Sequence, residues 1–592
     1  MAATAVTGRP NSPSRGRGRL RRVAVHGIAA LALLVPAAAA DASGPRGPQL
    51  VFSTYLGGAY KYGDIGNAIA VDAGGDAYVT GRSYYSRFPT TPGAFQTEHH
   101  SVGPWDTSAF AAKLNSSGSG LVYSTYLAAG AGETTGEGIA VDATGHAYVA
   151  GHTTATDYPV TPGAVDNGDQ GIFVTKLNPE GSGLDYSGLL GSGVYAGGIA
   201  VGPGGSAYVA AGAAMKLDPS GGGLVYSRSL DKATIADVAL DSAGNLYVAG
   251  TAGEGFQTTA GAFRGSPSGA FAAKIDPDGN VVYATLLGDR SSSADAIAVD
   301  AAGDAYVAGA TESRRFPTTR GAFQTAVRGG KGPNETAFVV RLDPAGTGRI
   351  YSTYLGEPSH GGPCGCGGAS GIAVDAAGDA FVAGTTASRR FPTTTGALQR
   401  RKRSRPSYAG SPFLSELDPL GRRLRYSTYL GGNGSDFASD VALGPGGRAY
   451  LTGGVVSTDF PVTPGALQRR SHGDYAVFVT ALDPAGAPVP GLFVKAVQRR
   501  GDRLRLRGAV DPRARGALAG TARLGTVTRP LHLRRRGGRF TATSEPLGRG
   551  GAWRLTIRFA GEGAWEDGSV CRETRIAGKR PGRWARARAR GC

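Results

Sequence analysis

The segment Ala68-Ile-Ala-Val-Asp72-Ala-Gly-Gly-Asp76-Ala-Tyr-Val-Thr-Gly81 recurs six times, in copies starting at Gly138, Gly198, Asp237, Ala296, Gly371 and Asp440. Aligned on the aromatic of its second half, the copies fall at Tyr78, Tyr148, Tyr208, Tyr247, Tyr306, Phe381 and Tyr450, with spacings of 70, 60, 39, 59, 75 and 69 residues. Such a unit cannot bury its apolar face alone and must stack on its neighbours. The repeat therefore dictates the architecture before any local detail does.

Each copy contains four strand-like pieces. The first two, Ala-Ile-Ala-Val and Ala-Tyr-Val-x-Gly, alternate in polarity and are joined by Asp-Ala-x-Gly-Asp, whose Gly and Asp suit a tight hairpin. The third is Ala109-Phe-Ala-Ala-Lys-Leu114 and its equivalents. The fourth is Val122-Tyr-Ser-Thr-Tyr-Leu127, which also has a spare copy, Val51-Phe-Ser-Thr-Tyr-Leu56, ahead of the first repeat. Four strands repeated seven times predict an all-β, seven-bladed propeller with four antiparallel strands per blade. The seventh repeat stops at Asp483-Pro-Ala-Gly486 without its fourth strand. The N-terminal strand should supply it and close the ring.

The motifs Tyr-Ser-Thr-Tyr-Leu-Gly, Ile-Ala-Val-Asp-x-x-Gly-x-Ala-Tyr-Val-x-Gly, Phe-Pro-Thr-Thr-Pro-Gly-Ala-Phe-Gln and Phe-Val-x-Lys-Leu-Asp-Pro occur together over about residues 49–487. In this they resemble bacterial SBBP repeats. That resemblance implies a seven-bladed propeller and an exported or cell-surface protein, and it brings no shared set of catalytic residues. The third repeat departs from the pattern, lacking the Phe-Pro-Thr-Thr segment between Tyr208 and Met215.

Charge divides unevenly along the 592 residues. Residues 49–487 hold 31 Lys+Arg against 37 Asp+Glu, whereas residues 488–592 hold 25 against 7. The bulk is mildly acidic and the net charge of +18 belongs to the ends. This is a basic appendage on an ordinary domain.

Arginines 9, 15, 17, 19, 21 and 22 precede a largely apolar run over residues 23–35 and then Ala38-Ala39-Ala40. That order reads as a secretory signal peptide over residues 1–40, with a linker at 41–48. The propeller follows at 49–487. Short alternating runs such as Trp553-Arg-Leu-Thr-Ile-Arg-Phe559 predict a small basic β-sandwich-like domain at 488–578, and residues 579–592 read as a disordered basic tail. No further apolar run is long enough to span a bilayer, so the mature chain is expected to be secreted or held at the cell surface.

The repeated Phe88-Pro-Thr-Thr91-Pro92-Gly-Ala-Phe95 stretch is expected to form one helical turn capped by Thr91, with its aromatics covering the blade edge. Asp72, Asp142, Asp241, Asp300 and Asp375 recur in the hairpins. They are read as acceptors for turn amides rather than calcium ligands, because Gly202 and Gly444 replace them in two repeats. No metal or cofactor is expected. Tyr84, Tyr85 and Trp105, in the first long loop, are the candidate ligand-binding residues, since exposed aromatics stack on sugar rings. Cys571 and Cys592 are the preferred disulfide. Cys364 and Cys366 are open to a local disulfide, free thiols, or a metal site with His360 that lacks a fourth ligand. The basic run Arg400-Arg401-Lys402-Arg403-Ser-Arg405 is read as a solvated loop tip.

No Gly-x-Ser-x-Gly, His-Glu-x-x-His or phosphate-binding loop motif occurs. The reading is an exported or cell-surface binding scaffold, its enzyme status open but leaning to none. The expected partners are glycans, anionic cell-wall polymers or other surface proteins, and nucleic acid is disfavoured by export. The alternative is an extracellular carbohydrate-active lyase or hydrolase with its site on the propeller loop face. Acidic or aromatic residues converging at the channel mouth would favour that enzyme.

Overall fold

A computed structural model describes residues 49–58, 63–84, 87–99, 103, 106–127, 130–192, 196–263, 267–327, 335–358, 367–405 and 409–484, together with seven C-terminal strands between 493 and 576. The signal peptide and linker readings, Tyr85, Trp105, Cys364, Cys366, Cys592 and the basic tail lie outside the described residues. No helix among the described residues is long and apolar enough to cross a membrane.

Seven four-stranded antiparallel sheets follow one another along the chain, six of them running in sequence order from the innermost to the outermost strand. Blade 1 consists of Asp64–Val71, Ala77–Tyr84, Thr107–Leu114 and Leu121–Leu127. Blade 7 takes Phe437–Gly444, Arg448–Val455 and Ala476–Asp483 from the end of the repeats and Gln49–Leu56 from the start. Leu56 pairs with Val477 and Ser53 with Thr480 across that seam. Phe52, Tyr55 and Leu56 are at most 1% exposed, so the closing strand is sealed by apolar burial as well as by its ladder.

Packing between blades follows from the repeat. Ile69, Val79, Phe110 and Leu114 of blade 1 share one core with Phe52, Tyr450, Val477 and Val479 of blade 7. Tyr78 and Tyr123 turn the other way, onto Val149 and Phe173 of blade 2. Alternation along each strand thus serves two neighbours, which is why these strands are buried on both faces.

The aromatic of the Phe-Pro-Thr-Thr motif lies against the third strand. Phe88 sits 4.2 Å from Phe110, Phe316 4.4 Å from Phe338 and Phe391 4.3 Å from Phe413, ring centre to ring centre. The stretch after it is not a helical turn. The Ala94 N–H donates to the Thr91 carbonyl, and Gly93 at φ 79° stands where a type II turn needs a positive φ after Pro92. Thr91 fixes the loop to the blade instead of capping a helix: its Oγ1 accepts from the Ser124 N–H at 3.0 Å.

In blade 3 the missing loop leaves only Ala211, Gly212 and Ala213 between strands Ala207–Ala210 and Ala214–Leu217. Gly212, at φ 73°, makes that hairpin. The C-terminal strands pair in the order 1-2-5-4-3-6-7 from Phe493–Arg500 to Gly568–Ile576. The strand Val527–Arg536 divides its partners: Val527 to Pro530 face Gly516–Leu524, and Leu531 to Arg536 face Arg539–Ser544. Pro530, which has no N–H to donate, stands where the ladder changes sides.

Candidate binding site in the central channel

The innermost strands carry a feature that the sequence pattern does not announce. In six blades the pairing with the second strand slips by one residue at the same place, between Gly66 and Ala68, Gly136 and Gly138, Ile235 and Asp237, Ala294 and Ala296, Ala369 and Gly371, and Ala438 and Asp440. Each slip is a β-bulge, which leaves one residue unpaired and turns its side chain out of the ladder. The bulge explains the glycine ending Ala-Tyr-Val-x-Gly. A Cβ on Gly81 would land on the Ile65 carbonyl, and one on Gly309 on the Ser293 carbonyl.

The bulged residues are Asn67, Glu137, Ala236, Asp295, Ser370 and Ser439. All of them line a cavity of about 210 Å³ at the centre of the ring, with Asp237 and Asp440 beside them. Four carboxylates, an amide and two hydroxyls thus converge, and no Lys, Arg or His is among the lining residues.

Asp237 and Asp440 hold adjacent blades together. Asp237 accepts from its neighbour Val238 N–H at 2.8 Å and from the Ile297 N–H of blade 5 at 2.9 Å. Asp440 accepts from Val441 N–H at 2.7 Å and from the Ile69 N–H of blade 1 at 2.9 Å. The preceding blade makes room for each carboxylate. A Cβ on Gly198 would strike Asp237 Oδ1, and one on Gly371 would lie 2.9 Å from Asp440 Oδ1. Glycine one blade before aspartate is therefore a single steric unit.

Both residues keep some surface on the channel but sit deep among protein atoms. Burial pushes the carboxyl of Asp237 up to about 7 against the two amide donors. Asp440 also rises to about 7, through burial and then the charge of Asp237, with the amide donors opposing. Asp295 rises to about 6 by burial, with Glu335 adding repulsion and Ser293 opposing it. Asn67 Nδ2 donates to the Gly136 carbonyl at 2.9 Å and reaches Glu137 Oε2 at 3.4 Å; Glu137 Oε1 lies 3.4 Å from His152 Nδ1. Ser370 Oγ donates to the Ala438 carbonyl at 2.8 Å.

Acidic residues do converge in the channel, the pattern tied above to an enzyme. Two of the four, however, have both carboxylate oxygens occupied by backbone amides, which is the chemistry of a clamp. What the cavity offers a visitor is an acceptor-rich wall suited to a small donor-bearing or cationic group. Asp237 and Asp440 were not singled out from sequence. The available signal was that two of the seven repeat copies begin with Asp where the others begin with Ala or Gly.

The other candidates lie elsewhere. Tyr84 ends the second strand of blade 1, partly buried, with the Arg82 guanidinium 5.3 Å from its ring centre, and it is not among the cavity residues. Cys571 pairs with Thr556 in the C-terminal sheet. The hairpin aspartates do accept from turn amides. Asp72 Oδ1 takes the N–H groups of Gly74 and Asp76, at 2.9 and 3.0 Å, while its Oδ2 takes Tyr78 OH and lies 3.3 Å from Lys113 Nζ. Asp142 repeats the amide and tyrosine contacts, with the His146 ring in place of a lysine. Burial alone would raise it, but donors from Thr144 and His146 outweigh that and hold it down at about 2. Some of the tyrosines reach on to the next blade, Tyr247 OH to the Gly303 carbonyl and Tyr450 OH to that of Gly75.

Residues 122–159 match the SBBP family model, described as a beta-propeller repeat. The matched stretch runs from the outermost strand of blade 1 through the first two strands of blade 2. The chain is similar to a solved structure, the WD40 beta propeller domain of Doa1, at 10% identity and a TM-score of 0.38, over 74% of this chain and 97% of that one. No curated protein matches it in sequence.

Proposed function

We propose that this SBBP-repeat propeller is an exported protein that works at the cell surface as a binding scaffold, taking glycans or anionic wall polymers as partners. The leader-like pattern of residues 1–40 supports the address. One observation carries the binding role. The hairpin aspartates and their tyrosines are spent on the blades, whereas the bulged channel residues and the loops between second and third strands carry different polar side chains from blade to blade. Polar groups that vary on a repeated scaffold, in its channel and on its loops, present a recognition surface.

The test is an array of glycans and wall polymers probed with the full chain, beside an activity screen on the same polymers. Saturable binding without turnover is expected. Cleavage of any of these polymers that is lost in Glu137→Gln or Asp295→Asn would overturn the reading in favour of an enzyme.

A further inference from the structure

The propeller's net acidity hides a local reversal of charge. In blade 6, residues 387–405 join the second and third strands and contain six arginines and one lysine without a single acid. Arg389, Arg390, Arg400, Arg401, Arg403 and Arg405 are all exposed. The equivalent loops of the neighbouring blades add to this on the same face: Arg314, Arg315 and Arg320 in blade 5, and Arg469 and Arg470 in blade 7, again all exposed. These flanking loops also carry acids, Glu312 and Glu335 in blade 5 and Asp459 and Asp474 in blade 7. The charge is therefore centred on blade 6. Across the ring, the equivalent loop of blade 2, residues 154–170, has three exposed aspartates, Asp157, Asp166 and Asp169, and no Lys, Arg or His. One side of the loop face is basic and the other acidic.

The blade 6 loop is also strapped down, unlike a free solvated tip. Phe391 is buried against Phe413. Arg389 Nη2 donates to the Arg405 carbonyl at 2.8 Å, Lys402 Nζ to Ala387 at 3.0 Å and Gln399 Nε2 to Arg401 at 3.2 Å. Gln399 Oε1 takes the Gly431 N–H from the end of the outermost strand at 3.0 Å. Like charges are thus held at fixed positions instead of being left to spread apart. Lys402 registers the crowding: burial, then Arg389, lowers it to about 8.

We propose that this arginine arc, centred on the blade 6 loop and flanked by blades 5 and 7, is a docking surface for a linear polyphosphodiester. The proposal rests on the binding-scaffold reading and names the partner and the surface it uses. Two features select the chemistry. Every exposed cation of the arc among the described residues is arginine, whose planar fork matches paired phosphate oxygens. Arginine also keeps its charge at any pH an exported protein meets, as a phosphodiester does, whereas a carboxylate polymer loses its charge near pH 4. The acidic blade 2 loop repels the same polymer, so the chain lies along one side of the ring.

The experiment uses the full chain and poly(glycerol phosphate) as probe, with polygalacturonate as the carboxylate comparison. Arg400→Glu with Arg401→Glu reverses two charges on the loop face. Arg422→Glu with Arg423→Glu makes the same change on the opposite face of the same blade. The loop pair is expected to weaken poly(glycerol phosphate) binding at least tenfold and to flatten its salt dependence, the opposite-face pair less than threefold, with thermal unfolding confirming that both variants are folded. Equal losses from the two pairs, or tighter binding of polygalacturonate, overturn the inference while leaving an anionic partner in place. Failure of the intact chain to bind poly(glycerol phosphate) overturns it too. Binding of other polymers on the array would then still uphold the scaffold, and no binding at all would end both.

Discussion

The two channel clamps make the stability of the ring depend on pH in a direction opposite to that of most carboxylates. Asp237 and Asp440 sit at about 7 in the folded chain, against an unfolded value near 3.8. Between those values the folded state holds protons that the unfolded state has released. Stability from this source is therefore complete below about pH 4 and is lost as pH rises through about 7. A rise of about 3 units corresponds to about 4 kcal/mol for one carboxylate. Part of the rise at Asp440 is repulsion from Asp237, so the two together contribute less than twice that. The sum is still a large fraction of the roughly 5–15 kcal/mol that keeps a domain folded. Asp295 and Glu137 face the same cavity, no cation lines it to offset the charge, and Asp379 and Glu416, raised by burial elsewhere in the ring, act in the same sense. The assay is urea unfolding by circular dichroism at pH 5 and pH 8, for the native chain and for Asp237→Asn with Asp440→Asn. The native chain should be several kcal/mol less stable at pH 8. The paired variant, which cannot ionise at either position, should show a much smaller difference even if the lost acceptors weaken it at both pH values. An identical pH dependence in the two proteins would refute the clamp reasoning.

Two further outcomes follow from the same geometry. Gly198→Ala puts a methyl group onto Asp237 Oδ1 and should cost about 1–3 kcal/mol, the usual range for overpacking; in an Asp237→Gly background the cost should largely vanish, and additive losses in that double-mutant cycle would contradict the paired reading. Removing the strand Gln49–Leu56 exposes the partners of Phe52, Tyr55 and Leu56, each side chain worth about 1.5–3 kcal/mol when buried, so a chain starting at Gly57 should unfold at a clearly lower temperature; an unchanged midpoint would mean that the ring does not depend on its N-terminal strand.

The ring was legible because its signal is repeated. Seven copies average out local ambiguity, and a spare strand at one end with a missing one at the other leaves a single way to close the last sheet. The loop after Phe88 misled for a local reason. Thr-Pro begins a helix or a type II turn equally well, and it is Gly93 at positive φ that decides. The channel was illegible for a different reason. A bulge adds no residue type of its own, and the acceptors of Asp237 and Asp440 meet main-chain amides of Ile297 and Ile69, groups that every residue carries. The one side-chain signal was the Asp that opens two of the seven copies, and it does not say which amides the carboxylates meet.

The basic loop shows how topology changes the meaning of a run of charge. Read along the chain, Arg400 to Arg405 is a short cationic stretch in a segment whose net charge is acidic, and a solvated tip is the reasonable reading. The ring places it beside the arginines of blades 5 and 7, which lie dozens of residues away in sequence, and opposite the aspartates of blade 2. Exposed charges are screened beyond roughly 8 Å at physiological salt, so what counts is which charges are presented together on one face. In a fold whose blades are nearly interchangeable, a polar residue shared by all blades is explained by the blade. Those that break the symmetry are of two kinds here. Gly198 with Asp237 and Gly371 with Asp440 break it inside the channel, where each pair is balanced by a steric partner one blade away. The arginines break it on the loop face, where they outnumber the acids of the same loops.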